Sequence, residues 1–192
     1  MRFEALGVHQ AFLVRIERHA DVRGFFARTF CVHEFAQAGL PTAVVQASTS
    51  FNATRGTVRG MHFQWPPSRE GKLVRCLRGS LFDVLLDLRP ESPSYLRHIS
   101  VSLDEENRDA VFIPHGVAHG FQTLSDSTEV LYQMTDLYAP DLAGGFRWND
   151  SSFGIEWPVR SDIVISDRDA LYRDFDRQAF EAELARRSGA TA

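Results

Sequence analysis

From Ala11 to Tyr138 the chain is a succession of short apolar runs, rich in β-branched and aromatic residues, each ended within a few positions by turn residues. AFLVRIER (11–18), FFARTF (25–30), TAVVQASTSF, TVRGMHFQ, KLVRCLRG, LFDVLLDL, YLRHISVSL, DAVFIP, HGFQTL and TEVLYQMTDLY follow one another, with HADVRG, NATRG, RPESPS and DEEN as turns. Runs so short and so closely spaced leave no room for crossover helices, so the strands must pair antiparallel, as a sandwich or barrel. VHEFAQAG (32–39) has a short helical pattern, stopped by Gly39 and Pro41. After Pro140 the texture changes. DLAGGFRWND reads as a loop and FGIEWP as one more strand. From Asp167 the chain is charged and helix-compatible, with Leu171, Phe175 and Leu184 as an apolar stripe. The expectation is a single all-β domain over 1–192, with a core at about 11–166 and a C-terminal helical extension at about 167–187. The closing RSGATA is expected to fray.

Charge and composition exclude several classes. A net charge of −4 gives no footprint for general nucleic-acid binding, although local arginines still suit a small anion such as a diphosphate. No apolar run reaches the length of a membrane span, and MRFEALGVHQ lacks the apolar region of a signal peptide, so a cytoplasmic location is expected. Cys31 and Cys76 form neither a CxxC site nor a disulfide framework and read as reduced core thiols. Fifteen phenylalanines, three tryptophans and four tyrosines fit a β core and also supply flat walls for rings or sugars.

Polar chemistry concentrates between Arg55 and Arg78, in RGTVRGMHFQWPPSREGKLVRCLR. Gly56 is followed by His62, Gln64, Glu70 and Gly79, and farther on PHGVAH places Pro114, Gly116 and His119 in a PxGxxH arrangement. The two segments resemble the signature motifs of the cupin superfamily, whose fold is a jelly-roll β-barrel. Where metal-binding cupins carry the second histidine of the first motif, this chain has Gln64, and the spacing to Glu70 is stretched. An amide oxygen is a weaker and harder ligand than an imidazole. No metal and no other cofactor are therefore expected. A metal-dependent oxygenase or isomerase built on His62, Gln64, Glu70 and His119 stands as the alternative, beside a sugar-binding cupin without catalysis.

DVRGFF, VRGMHFQWPP, GKLVRCLRG, FDVLLDLRPESPSY, IPHGVAHGF and LYQMTDLYAP, with WND and ISDRDA, resemble in order the nucleoside-diphosphate-sugar 3,5-epimerases, the dTDP-4-dehydrorhamnose 3,5-epimerase family. The resemblance runs from about Asp21 to Asp169 and is more specific than either cupin motif. It implies a nucleoside-diphosphate 4-keto-6-deoxyhexose as substrate and a homodimer whose N-terminal strand crosses to the partner sheet. The protons at C3 and C5 of such a sugar are acidic because both lie alpha to the C4 carbonyl. Epimerisation needs a base on one face, an acid on the other and a stabiliser for the enolate oxygen. The ketone itself is the electron sink.

Carried over residue by residue, the resemblance implies His62 as base, paired with Asp169, with Asp83 as a rival or additional partner. Tyr132 is implied as the acid, and the Lys72 ammonium suits the developing enolate. His119 is expected to hydrogen-bond near the same oxygen, Arg23 and Arg59 to hold the diphosphate, and Gln46, Phe26, Tyr138 and Arg168 to line the substrate site. The related 3,4-ketoisomerases share the fold and the enolate chemistry, but the Tyr132 acid and VRGMH favour the epimerases. Arg28, Ala47, Ser48 and Ala143 depart from the residues common in the family, and Arg168 replaces the usual lysine. They leave the proton chemistry untouched and leave open the nucleotide (dTDP, CDP or GDP) and whether C3, C5 or both are epimerised.

Overall fold

The computed structural model describes residues 1–189. In chain order it holds β1 (Arg2–Ala5), β2 (Phe12–Arg15), β3 (Arg18–Asp21), β4 (Gly24–Ala27), α1 (Val32–Gln37), β5 (Gln46–Asn52), β6 (Val58–Gln64), β7 (Lys72–Arg78) and β8 (Ser80–Asp87). There follow β9 (His98–Asp104), β10 (Ala110–Ile113), β11 (Val117–Thr123), β12 (Thr128–Met134), β13 (Ala143–Gly145), α2 (Asp167–Ala170) and α3 (Arg177–Arg187). The larger strands form two antiparallel sheets, one in the order β1-β2-β10-β7-β12-β5 and the other β13-β6-β11-β8-β9. This is the cupin-type jelly roll expected, with the two sheets facing each other rather than closing into one hydrogen-bonded cylinder.

Alternation along the strands explains the layering. The inner face of β8 carries Leu81 and Leu85, and these pack with Val74, Cys76, Val111, Ile113, Phe121 and Val130 in a core drawn from both sheets. The alternate residues of β8, Val84 and Leu86, pack outward against Phe146, Phe153, Trp157 and Phe180. Both faces of β8 are thus covered, which is why LFDVLLDL reads as nearly continuous apolar sequence. On the far side, α1 lays Phe35 over Val14, Leu73 and Phe112. That helix ends in a Schellman motif: Gly39 N–H donates to Ala36 O at 3.0 Å and Leu40 N–H to Phe35 O at 2.9 Å. Gly39 takes the required positive φ of 72°.

Several boundaries differ from the sequence reading. AFLVRIER breaks at Ile16–Glu17 into β2 and β3, because β3 leaves the large sheet to form a separate hairpin with β4. HADVRG is therefore mostly strand rather than turn. FGIEWP is not a strand, since its Phe153 and Trp157 serve as packing for the outer face of the five-stranded sheet. DLAGGFRWND contains β13, which extends that sheet beside β6. The C-terminal segment is two helices with separate N-caps, Ser166 for α2 and Asp176 for α3, so the chain between them is not helical. Leu171 consequently points away, 80 % exposed, while Phe175, Phe180 and Leu184 do the packing. The end of the RSGATA tail, residues 190–192, lies outside the described residues. Cys76 is buried, which pushes its thiol up to about 12, whereas Cys31 is only half-buried at the start of α1. Among the described residues, no helix is long and apolar enough to cross a membrane.

Candidate active site

The polar residues of the interior gather at one end of the space between the sheets. β6 supplies His62 and Gln64 on one face, and β11 places His119 directly opposite His62 in register. From the facing sheet come Lys72 on β7, Tyr132 on β12, and Gln46, Ser48 and Ser50 on β5. Tyr132 lies between Val74 and Ser48 in the strand register, so the apolar core begins where the polar wall ends. A cavity of about 360 Å³ is lined by Gln46, His62, Lys72, Tyr132, Tyr138 and Arg168, among others. A second cavity of about 440 Å³ shares Ser48, His62, Lys72, Tyr132 and Tyr138 with it and adds Arg59 and His119. The two form one cleft.

Two close approaches shape the wall that holds His62. A Cβ on Gly60 would meet the Gly120 Cα at 2.4 Å, so only glycine allows β6 and β11 to come this near. The β6–β11 register shifts at this point, between His119 and Phe121. On the other side of His62, Gly145 of β13 is its register partner and the Tyr172 ring lies on Gly145, where a Cβ would sit 2.4 Å from the ring. Tyr172 meets the His62 ring edge-on, with centroids 6.0 Å apart, and accepts a hydrogen bond from Arg168 Nε at 3.2 Å.

Asp169 is aimed by its own short helix. Ser166 caps α2 by accepting from the Asp169 N–H at 3.2 Å, and the Asp169 carboxylate turns back toward β6. Its Oδ1 lies 2.8 Å from His62 Nε2 and its Oδ2 accepts from Gly60 N–H at 3.2 Å. Burial pushes this carboxyl up, but the His62 bond and charge, the Gly60 N–H and the charge of Arg168 outweigh it and hold it below its usual range. The carboxylate fixes the ring's hydrogen on Nε2 and leaves Nδ1 as the basic nitrogen. The His62 side chain is 40 % exposed and open to the cleft.

Asp83 is not a partner of His62. It is fully buried on β8 and lies 2.8 Å from Nε2 of His119, whose strand β11 stands between β8 and β6. Burial raises the Asp83 carboxyl, with the charge and bond of His119 opposing the shift. Burial likewise pushes the Tyr132 phenol up to about 12, only partly countered by a contact of 3.3 Å with Ser50 Oγ. A phenol so placed is protonated at rest. Lys72 Nζ lies 2.7 Å from Glu70 Oε1.

Most of the other expected site residues also reach the cleft. Gln46 lines it and accepts from the Tyr138 N–H at 3.1 Å. Arg59 borders the second cavity, with its Nε donating to Asn52 Oδ1 at 2.8 Å. Tyr138 and Arg168 form the rim beside Ala143. Arg23 and Phe26 do not reach it. They sit on the exposed β3–β4 hairpin, where Arg23 pairs with Asp21 and Phe26 is 77 % exposed. The sequence reading missed Ser50 and Tyr172. Ser50 was signalled by the alternation Gln46, Ser48, Ser50 on one face of β5, whereas nothing local marks Tyr172.

The side chains considered as metal ligands are otherwise engaged. His62 is bound to Asp169 and His119 to Asp83, while Glu70 spans Lys72 and Gln64. The Gln64 oxygen accepts the Ala139 N–H at 2.9 Å. Among the described residues, no three His, Cys, Asp or Glu side chains converge. This donor set does not fit a metal.

Comparison with known proteins agrees with the geometry. The profile of dTDP-4-dehydrorhamnose 3,5-epimerase matches residues 5–177. The chain is 42 % identical over 174 residues to the dTDP-4-dehydrorhamnose 3,5-epimerase of Methanothermobacter thermautotrophicus, covering 90 % of this chain and 93 % of that one. It superposes with a TM-score of 0.87 and 30 % identity on a Legionella pneumophila dTDP-6-deoxy-D-glucose-3,5-epimerase in complex with dTDP-4-keto-L-rhamnose, covering 95 % and 96 % of the two chains. A 3'-monoepimerase from Streptomyces bikiniensis in complex with dTDP-quinovose superposes with a TM-score of 0.82 and 30 % identity, covering 96 % and 90 %. With its profile matched over most of its length and its fold shared, the chain belongs to the dTDP-4-dehydrorhamnose 3,5-epimerase family, isomerases of deoxysugar biosynthesis.

Proposed function

We propose that the cleft epimerises both C3 and C5 of a dTDP-linked 4-keto-6-deoxyhexose through an enolate, with no cofactor. The observation that carries this reading is that His62 and Tyr132 line one cleft from opposite sheets. A planar enolate lying between them has a base on one face and an acid on the other. His62 Nδ1 takes the carbon-bound proton and the C–H electrons move to the C4 oxygen. The Lys72 ammonium and His119 face the charge that collects there. Tyr132 then delivers its phenolic proton to the opposite face of the carbon, and the carbonyl re-forms. Asp169 stabilises the imidazolium while the proton resides on His62. Gln46, Tyr138, Arg59 and Arg168 hold the nucleotide and diphosphate. The enzyme works in the cytoplasm, as a single-domain protomer.

In heavy water, dTDP-4-keto-6-deoxyglucose should acquire deuterium at C3 and C5, while the CDP and GDP forms are turned over poorly. Mass and proton NMR spectra of the sugar read this directly. Absence of exchange with all three nucleotides would defeat the proposal, and exchange at C3 alone would restrict it to that carbon.

The active species is a homodimer in which the β3–β4 hairpin reaches the partner's cleft. Support comes from the exposure of the hairpin, with Val22 fully exposed and Phe26 77 % exposed, and from β5 standing at the edge of its sheet, paired with β12 on one side only. Arg23 and Phe26 would then serve the partner's substrate. Mixing inactive Arg23→Ala and His62→Asn proteins should restore about a quarter of wild-type activity, because half the dimers are mixed and each holds one intact site. No restoration after subunit exchange would place Arg23 outside the partner's site.

A further inference from the structure

We infer that Glu70, with Gln64, is a positioning residue that clamps the Lys72 ammonium where the enolate charge develops. The inference rests on the reading of Lys72 given above. Glu70 precedes β7, and its side chain is only 4 % exposed. A carboxylate that deep is destabilising unless a cation and hydrogen bonds compensate it. Both oxygens are used: Oε1 lies 2.7 Å from Lys72 Nζ, and Oε2 accepts from Gln64 Nε2 at 2.8 Å. The Gln64 oxygen in turn accepts the Ala139 N–H at 2.9 Å, so its amide orientation is fixed as well.

The chain of bonds has a mechanical sense. Gln64 lies two residues beyond His62 on β6 and shares its face. Lys72 opens β7 in the opposite sheet. The Gln64–Glu70 bond therefore ties the strand of the base to the residue that holds the lysine. The connecting backbone is tight, since a Cβ on Gly71 would lie 3.2 Å from Ile113 O and 3.3 Å from Thr135 Oγ1. Gly71 N–H donates to Thr135 Oγ1 at 2.8 Å, and Thr135 N–H returns a bond to Gly71 O at 3.0 Å. Thr135 directly follows β12, the strand of Tyr132. The clamp thus refers base, acid and lysine to one frame.

A free lysine side chain samples many rotamers, and each must be frozen out before its charge can meet an oxyanion. Glu70 uses one of the three ammonium N–H groups and leaves the others for substrate. Two side chains at positions that resemble a metal motif thereby hold an organic cation instead.

The test compares Glu70→Ala, Glu70→Gln, Lys72→Met and the double variant Glu70→Ala/Lys72→Met, measuring kcat, KM and unfolding midpoint. Glu70→Ala should lower kcat about 30-fold with KM within about 3-fold of wild type, the pattern of a misplaced transition-state group. Glu70→Gln keeps an oxygen for Nζ and should hold kcat within about 5-fold. In the Lys72→Met background, Glu70→Ala should cost less than about 2-fold more, because its effect runs through the lysine. The clamp is overturned if Glu70→Ala leaves kcat unchanged, or if its full loss recurs without the lysine. Should Glu70→Ala fail to fold, Gln64→Leu takes its place, with about a 5-fold loss of kcat expected beside Lys72 and none in the Lys72→Met background. Wild-type rates in Lys72→Met alone would instead remove the reading of Lys72 on which the clamp depends. Impaired Lys72→Met with unimpaired Glu70→Ala would remove the clamp alone.

Discussion

A His62→Asn variant is expected to lose solvent exchange and epimerisation together, with kcat falling about 10³-fold and nucleotide binding retained. A general base contributes roughly 10²–10⁴-fold, and no other group on the same wall can replace this one. His119, its register partner, has a side chain only 7 % exposed, against 40 % for His62. The asparagine amide can still donate toward Asp169, so the buried carboxylate keeps a partner and the fold should survive. Deuterium uptake at C3, followed by NMR, is the decisive reading. Uptake at the wild-type rate would require another base and would dissolve the assignment.

Tyr132→Phe should give a different phenotype. The variant removes one oxygen and keeps the ring that packs against the core formed by Val74, Val130 and their neighbours. His62 can still take a proton and return a deuteron to the same face, so exchange at C3 should persist. Inversion should fall about 10²–10³-fold, because the opposite face then lacks a donor. Burial keeps the phenol of the native residue protonated, at a pKa of about 12, which makes it competent as an acid and poor as a base. The ratio of exchange to inversion, measured on one sample, separates the two roles. If exchange and inversion collapse in proportion, Tyr132 is not the acid for that carbon.

How much of this was legible beforehand depended on whether a residue's role is local. Short apolar runs bounded by turn residues announced β8, β11 and β12, because these signals are written in the strand's own sequence. His62, Lys72, Tyr132 and Asp169 could be named from ordered motifs, and all four converge, with three lining the cleft and Asp169 bonded to His62. Asp83 was mispaired for a simple reason. Its strand position gives its face, but not which of two neighbouring histidines it meets. Glu70 looked like a ligand from a metal motif, and only the fold shows it against Lys72. The aromatic residues of FGIEWP suggested a strand, yet they serve to cover a sheet rather than to extend it. Arg23 and Phe26 lie on a hairpin that pairs only within itself, so neither the sequence nor a single protomer brings them to the cleft.

Because His62 stands on one sheet and Tyr132 on the other, the apolar interior acts as a ruler. The stacked volumes of Val74, Val130, Leu85 and Phe121 set the gap between those two side chains. Adding or removing a methylene there changes a reaction coordinate as much as a melting temperature. The rim around Tyr138, Ala143 and Arg168 can vary without disturbing that gap. For an engineer, then, the proposed mechanism divides the molecule in an unusual way: the lip of the cup would hold the choice of substrate, and its greasy filling the rate.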